Sequence, residues 1–436
     1  MPVEPPRPAS RPRGYGPVRT WLAFRTDIFS SQPERLYRAW MAELRTPFYR
    51  SATVLQPELA QIVLGDADAF PKSRVLGQTL GDLLGASVFV ANGAAWKRAR
   101  TLIDPAFSGG RVREMAPQIE AASQTMCARL SPGTVEVEEV TARATADVIL
   151  RVMFDRPIED AEADAVFHAF RAYQRAQPLA SPADLMRLPR WIPRLGRRRS
   201  RAAAQSLRAL VARLVAQSGE GNHLIGRLRE MQHSDGTTGF SDDELLDQAV
   251  MFLLAGHETS ASALSWALLC LALDPEVQDR AVAEVRDAPE GFAGLREMPF
   301  LRDIWREVLR LYPPVPMLPR ETRDGVTFRK RRLPAGSPLI LSPWHSGRHE
   351  RLWERAHVFD PDRWRGEVPQ GAYYPYSAGP RICPGAGFAT TEGVLMLAAI
   401  LRQFELRPVE DRLPRPVAHL TVRADDGIWL RFSERV

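Results

Sequence analysis

"YSAGPRICPGAGFA", residues 376–389, sets one of only three cysteines in the chain between glycines and an arginine, just ahead of an apolar run. Gly379 and Gly385 admit backbone conformations and close approaches that a side chain would block, so something flat and large can lie against this loop. Cys383 falls shortly before a helix predicted from about Ala386 to Phe404. Free N–H groups and the helix dipole favour a thiolate there, and a thiolate is a metal ligand.

Outward from that stretch the composition is ordinary. With 436 residues, 45% hydrophobic and 25% charged, the chain can bury a sizeable core and is too apolar to be disordered. No stretch reads as a linker between two cores, so we expect a proline-rich leader over 1–20 and a single domain over 21–436. Lys and Arg total 58 against 52 Asp and Glu, a net charge of +6, and the only lysines are Lys72, Lys97 and Lys330. That balance suits an acidic protein partner better than a nucleic-acid surface.

Cys127, Cys270 and Cys383 are too few and too scattered for a disulfide framework or a zinc site, which fits a reducing, cytoplasmic setting. Cys127 and Cys270 sit in helical, apolar surroundings and read as core. The opening "MPVEPPRPASRPRGYGPVR" (1–19) carries no apolar stretch, so neither a signal peptide nor an anchor is expected. "AVMFLLAGHETSASALSWALLCLAL" (249–273) is long enough to raise a membrane span, but His257 and Glu258 stand at its middle. A carboxylate at bilayer depth is costly, so we read a helix through a large soluble core.

In chain order, "RSATVLQ" (50–56) reads as a strand, "PELAQIVLG" (57–65) as a short helix, and 66–93 as an apolar loop. Helical patterns run from Ala94 to about residue 285, broken by the proline-rich stretch 177–196. The last third mixes a helix near 298–312, short strands around "RDGVTF" and "PLILSPW", the helix after Cys383, and a closing hairpin in "LTVRADDGIWLRF". The class is mainly α with a minor β part.

A lone cysteine cannot build a zinc or iron–sulfur site, but it can supply the one axial bond of a haem iron, with Arg381 pairing a propionate. The alternative is a thiol in a glycine-rich turn. Three further stretches bear on the choice: "WREVLRLYPP" (305–314), with Glu307 and Arg310 on one helix face; "AGHETS" (255–260); and "WKRAR" (96–100), with Trp96 and Arg100 one turn apart.

Tyr376, Gly379, Arg381, Cys383 and Gly385 resemble the Cys-loop signature of the cytochrome P-450 family, F-x-x-G-x-R-x-C-x-G, with Tyr376 where phenylalanine is usual. The resemblance covers nearly the whole chain. It implies a single-domain fold with haem b between the long central helix and the Cys-loop helix. Cys383 is then the iron ligand, Trp96, Arg100, Arg320 and Arg381 seat the haem, and the Tyr376 ring shields the sulfur, its hydroxyl shifting the potential slightly. Arg363 in "FDPDRW" (359–364) completes a buried cluster with Glu307 and Arg310. Ala255 and Gly256 leave room for dioxygen, Thr259 hydrogen-bonds it, and Glu258 relays protons.

The implied activity is that of a monooxygenase that hydroxylates or epoxidises a lipophilic substrate. The pocket positions are Leu80, Leu83, Leu84, Val88, Phe252, Met317, Leu318, Leu420 and Val422. We expect no flavin or ferredoxin-type cysteine module, and by resemblance we expect electrons from a separate ferredoxin or flavodoxin with its reductase, drawn to a basic face at Lys97, Arg98, Arg111 and Arg113. A monomer is expected. A peroxide-using or non-oxygenating haem-thiolate enzyme, or a haem-based gas sensor or carrier, shares the Cys loop and stands as the alternative.

Overall fold

In the computed structural model, residues 3–8, 10, 19, 22–24, 27–45, 50–176, 197–234 and 239–435 are described. The proline-rich stretch 177–196 and most of the leader lie outside them. Helices take up most of the described chain: α1 (Pro57–Gly65), α2 (Arg74–Leu84), α3 (Gly93–Ile103), α4 (Gly109–Ala128), α5 (Val137–Phe154), α6 (Ala161–Ala176), α7 (Arg197–Gln217), α8 (Leu224–Ser234), α9 (Asp242–Leu273), α10 (Pro275–Asp287), α11 (Pro299–Leu311), α12 (Pro343–Gly347) and α13 (Ala386–Gln403).

The helix boundaries have local causes. Ser241 accepts from the Glu244 N–H while the Glu244 carboxylate accepts from the Ser241 N–H, a reciprocal cap that starts the 32-residue α9. Asp274 ends it and caps α10 through the Val277 N–H. The Glu284 carboxylate accepts from Phe300 and Leu301 N–H, both at 2.8 Å, and so seats the first turn of α11. α9 is buried along most of its length, from Leu245 to Ala272, and so carries the core as the sequence pattern implies. Cys127 and Cys270 are both buried. Among the described residues no helix is long and apolar enough to cross a membrane.

The β part is small and split. One sheet runs β1 (Met41–Arg45), β2 (Arg50–Val54), β7 (Pro338–Leu341), β4 (Leu318–Glu321), with β2 and β7 parallel. β5 (Val326–Phe328) pairs with β6 (Arg331–Leu333). A three-stranded sheet orders β3 (Gly133–Glu136), β11 (Trp429–Glu434) and β8 (Phe404–Pro408); β9 (Pro416–Ala418) pairs with β10 (Val422–Ala424).

Two expectations change. The stretch read as loop over 66–93 contains α2, capped by Ser73 through the Val75 N–H and ended by Gly85 at φ 52°. Its small, apolar residues hide the period, and burial of Leu80, Leu83 and Leu84 stabilises it. The closing hairpin does not form either: β10 pairs with β9, and β11 lies between β3 and β8. Gly427, at φ 70°, turns the chain from one sheet to another, so the Asp-Asp-Gly signal marks a turn but not its pairing.

Candidate cofactor and active site

The Cys loop closes on itself where the Cys383 N–H donates to the Tyr376 carbonyl at 2.9 Å. Its two glycines answer to different neighbours. Gly379 has φ 65°, and a Cβ there would lie 2.3 Å from the Leu64 carbonyl oxygen, so the polypeptide itself demands glycine. At Gly385 the nearest atoms are Phe107 Cε1 at 3.8 Å and Cys383 Sγ at 3.9 Å, ordinary contacts that leave room beside the sulfur. Cys383 keeps exposed surface, yet its sulfur lies deep in the fold. Desolvation pushes the thiol up, against the Gly385 N–H and Arg100, which pull it down. Burial thus opposes the thiolate that the helix terminus favours, and a bound cation would offset that cost.

Beside this loop, cations gather with few anions. Arg320 and Arg381 are both buried, and desolvation lowers each to a pKa of about 10. Arg381 donates Nη2 to the Ala67 carbonyl at 3.1 Å, while its Nε and Nη1 have no partner among the described residues. Its guanidinium stacks 4.8 Å from the centre of the Trp96 ring. Arg100 bonds Asp104 and the Ile382 carbonyl, the latter at 2.5 Å. Lys72, paired across a β-bridge with Arg320, is pushed down to about 6, by burial first and then by Arg381, Arg320 and Arg100. Burying cations without acids is costly unless a ligand supplies the charge. The sequence reading missed Lys72; one of three lysines in an arginine-rich chain, standing in an apolar stretch, was the available signal.

Glu307, Arg310 and Arg363 lie together in one cluster. Arg310 holds Glu307 through Nη2 at 2.6 Å and Nε at 2.9 Å, with both side chains fully buried. Its remaining N–H groups donate to the carbonyls of Gly347, Ala356 and Val358. Arg363 Nε and the Asp360 N–H complete the Glu307 carboxylate at 3.4 and 3.0 Å. Gly347 lets the two segments meet, since a Cβ would lie 2.3 Å from the Arg310 carbonyl oxygen.

In α9 the Thr259 hydroxyl donates to the Ala255 carbonyl at 2.7 Å. Buried Glu258 accepts through one oxygen from Thr421 Oγ1 and Arg423 Nη2, both at 2.7 Å. Arg423 is one-third exposed and links the carboxylate to the surface. These partners come from the C-terminal segment, and nothing in the local sequence announces them. Gly256 departs from the expected role: a Cβ there would lie 2.8 Å from Ile149 Cδ1, so its missing side chain serves close packing of α9 on α5 rather than space for dioxygen. His257 is buried, edge-on to Phe167 and Phe170, and burial pushes it down to about 3, which keeps it neutral. Glu392 of α13 bonds Ser260 at 2.5 Å and is raised to about 8 by burial.

Leu80, Leu83, Leu84, Val88 and Val422 are buried in one core with Phe252, and Leu420 packs against it. Met317 is half-buried, and Leu318, at the start of β4, joins a second core with Val54 and Leu341. Phe252 lies 5.6 Å from Phe107, the residue beside Gly385. Asp247 of α9 pins the segment carrying these leucines: it accepts from the Ala86 N–H at 2.6 Å and pairs with Arg208 at 2.7 Å, while Arg208 donates to the Leu83 carbonyl. Gly85 is required there, because a Cβ would fall 2.1 Å from the Asp247 carboxylate.

The chain matches the family model for cytochrome P-450 over residues 31–429. Cyclooctat-9-en-7-ol 5-monooxygenase of Streptomyces melanosporofaciens is 30% identical over 387 residues, covering 85% of this chain and 83% of that protein. Cyclooctatin synthase of the same organism is 30% identical over 391 residues, with 84% and 83% covered. A crystal structure of a six-coordinated cytochrome P-450 from Thermus thermophilus superposes with a TM-score of 0.73 at 25% identity, over 91% of this chain and 95% of that one. With the family match spanning most of the chain and the fold agreeing, this protein belongs to the cytochrome P-450 family, haem-thiolate oxidoreductases that incorporate oxygen from dioxygen with electrons from redox partners.

Proposed function

We propose that this chain is a monooxygenase that inserts one atom of dioxygen into a lipophilic substrate, by hydroxylation or epoxidation, on haem b ligated by Cys383. The observation that carries the site assignment is the cluster of Lys72, Arg320 and Arg381 beside the Cys loop: Lys72 and Arg320 are bonded to backbone carbonyls, and Arg381 keeps Nε and Nη1 without a partner among the described residues, which fits the two carboxylates of that haem. Trp96 and Arg100 belong to the same seat. When bound, the haem supplies dioxygen reduction and O–O cleavage, favoured by thiolate donation.

The polypeptide supplies protons and excludes water. The Thr259 hydroxyl spends its proton on Ala255, leaving its oxygen free to accept from a partner in the site. The Glu258 carboxylate is held by Thr421 and Arg423, and releasing one of them frees it to relay a proton from the surface inward. Ala255 stands one turn before Thr259 on the same face. The leucines pinned by Asp247 form an apolar wall, and the relative named for oxidising cyclooctat-9-en-7-ol, an alkenol, supports a largely hydrocarbon substrate.

Electrons come from a ferredoxin or flavodoxin with its reductase, the protein is a cytoplasmic monomer, and residues 21–436 act as one catalytic domain behind a leader of 1–20. The basic face proposed for the donor is weaker than its residue count: Lys97, Arg98 and Arg111 pair with Asp68, Glu244 and Glu114, and Arg113 stacks on Phe292.

The test is product formed per reductant oxidised in wild type and Thr259→Ala, using a substrate found by its spin-state shift. Reductant consumption should persist while product falls and hydrogen peroxide rises. An unchanged ratio would remove the proton-delivery role and return weight to a peroxide-using or non-oxygenating enzyme.

A further inference from the structure

Tyr376 replaces the phenylalanine usual in the Cys-loop signature, and its hydroxyl is buried. Trp305 Nε1–H of α11 donates to that hydroxyl at 3.2 Å. The hydroxyl also lies 3.2 Å from Thr390 Oγ1 of α13. Thr390 in turn donates to the Ala386 carbonyl at 2.8 Å, which uses its only proton. The direction is therefore fixed: Tyr376 must donate to Thr390. The result is a one-way chain, Trp305 to Tyr376 to Thr390 to Ala386, in which each donor is used once.

The chain ends in the first turn of α13, where the Ala386 N–H returns to the Cys383 carbonyl at 3.3 Å. Its beginning is equally fixed. Trp305 is buried, and its ring fills the space left by Gly393 of α13, where a Cβ would lie 2.3 Å from Cη2. Trp305 also shares α11 with Glu307 and Arg310.

We propose that Tyr376 is a positioning residue whose hydroxyl, as the middle link of this chain, fastens the Cys383 loop to α11 and α13 and so holds the sulfur in place for its cofactor. The inference rests on Cys383 as the ligand. It differs from a tuning role, because both hydrogen bonds of the hydroxyl run to helices and neither reaches the sulfur.

Replacing Tyr376 by phenylalanine keeps the ring but leaves the Trp305 N–H buried without a partner, a loss that corresponds to about a 5- to 150-fold change in an equilibrium or rate. The experiment uses purified holoprotein of wild type, Tyr376→Phe, Trp305→Phe, the double variant, Thr390→Val and Thr390→Ser. Three quantities are read: haem transfer to excess apomyoglobin, the decay of the red-shifted ferrous carbon monoxide band to the blue-shifted thiol-type band, and the reduction potential. Tyr376→Phe and Thr390→Val should speed both processes by that factor. Thr390→Ser should behave as wild type, and the double variant should be no worse than the larger single one, as expected for members of one network. The potential should stay constant throughout.

Unchanged haem loss and band decay in Tyr376→Phe, additive effects in the double variant, or a shifted potential with unchanged loss would each overturn the proposal. If Tyr376→Phe does not fold, the Thr390 pair decides alone. A wild type without the red-shifted band would instead sink the haem-thiolate reading itself, leaving the two failures distinct.

Discussion

Arg310 and Arg381 are both buried, but the protein treats them differently. All five N–H groups of Arg310 are used, on Glu307 and three carbonyls, so its desolvation is compensated within the chain. Among the described residues Arg381 uses Nη2 alone, leaves Nε and Nη1 unpartnered, and stands among Lys72, Arg100 and Arg320. Similar depth with opposite satisfaction separates a residue that holds the fold from one that waits for a ligand. The same contrast divides the glycines: Gly379 and Gly347 are demanded by carbonyls of the chain, whereas Gly385 faces only ordinary contacts.

The contrast breaks most visibly at Arg310. Arg310→Ala strands the buried Glu307 carboxylate, a loss of about 3–5 kcal/mol, comparable with a domain's whole stability. Haem content per protein and melting temperature should show little or no holoprotein; near-normal values would mean that the cluster is not load sharing at all. Arg381→Gln should do the reverse of a structural mutation. Haem release should speed by about 10- to 100-fold, the worth of a charged hydrogen bond, while the haem-free chain is no less stable than wild type. Equal destabilisation of both forms would erase the distinction.

Lys72 sharpens it through pH. In the haem-free fold its pKa falls to about 6, far below the ordinary lysine value, so between those limits the unfolded chain binds a proton that the folded one lacks. Stability of the haem-free protein should therefore rise with pH above about 6, with a slope approaching about 1.4 kcal/mol per unit for this one group. Lys72→Met should flatten that rise in pH-resolved unfolding, and a wild type with no such rise would argue against the cation cluster. The smallest effect concerns the donor. Because Lys97, Arg98 and Arg111 are already paired, added salt should slow reduction by an acidic ferredoxin only modestly. Complete indifference to ionic strength would remove docking from this face.

What was legible in the sequence depended on how far apart the partners stood. Glu307 and Arg310 share a helix face, and the Cys loop is a single run of chain, so the local motifs that carry the family resemblance could be read there. Arg423 on Glu258, Lys72 among the arginines and Asp247 under Gly85 are meetings of distant segments, and no local pattern encodes them. α2 escaped because its period is blurred by Gly77 and Gly81 and its stability comes from packing. The failed hairpin had the right turn residues, but strand choice is a tertiary decision. Gly256 shows the converse error: a small residue at an expected place, filled by Ile149 from another helix.

The central claim is that Cys383 supplies a thiolate to a haem seated among these cations. Its most direct test is the carbon monoxide spectrum of the reduced protein, wild type against Cys383→Ser. The strongly red-shifted band of a thiolate-ligated haem should be present in wild type and absent in the variant, because a hydroxyl is a far poorer donor to iron. A band that survives the substitution, or never appears in wild type, would contradict the assignment.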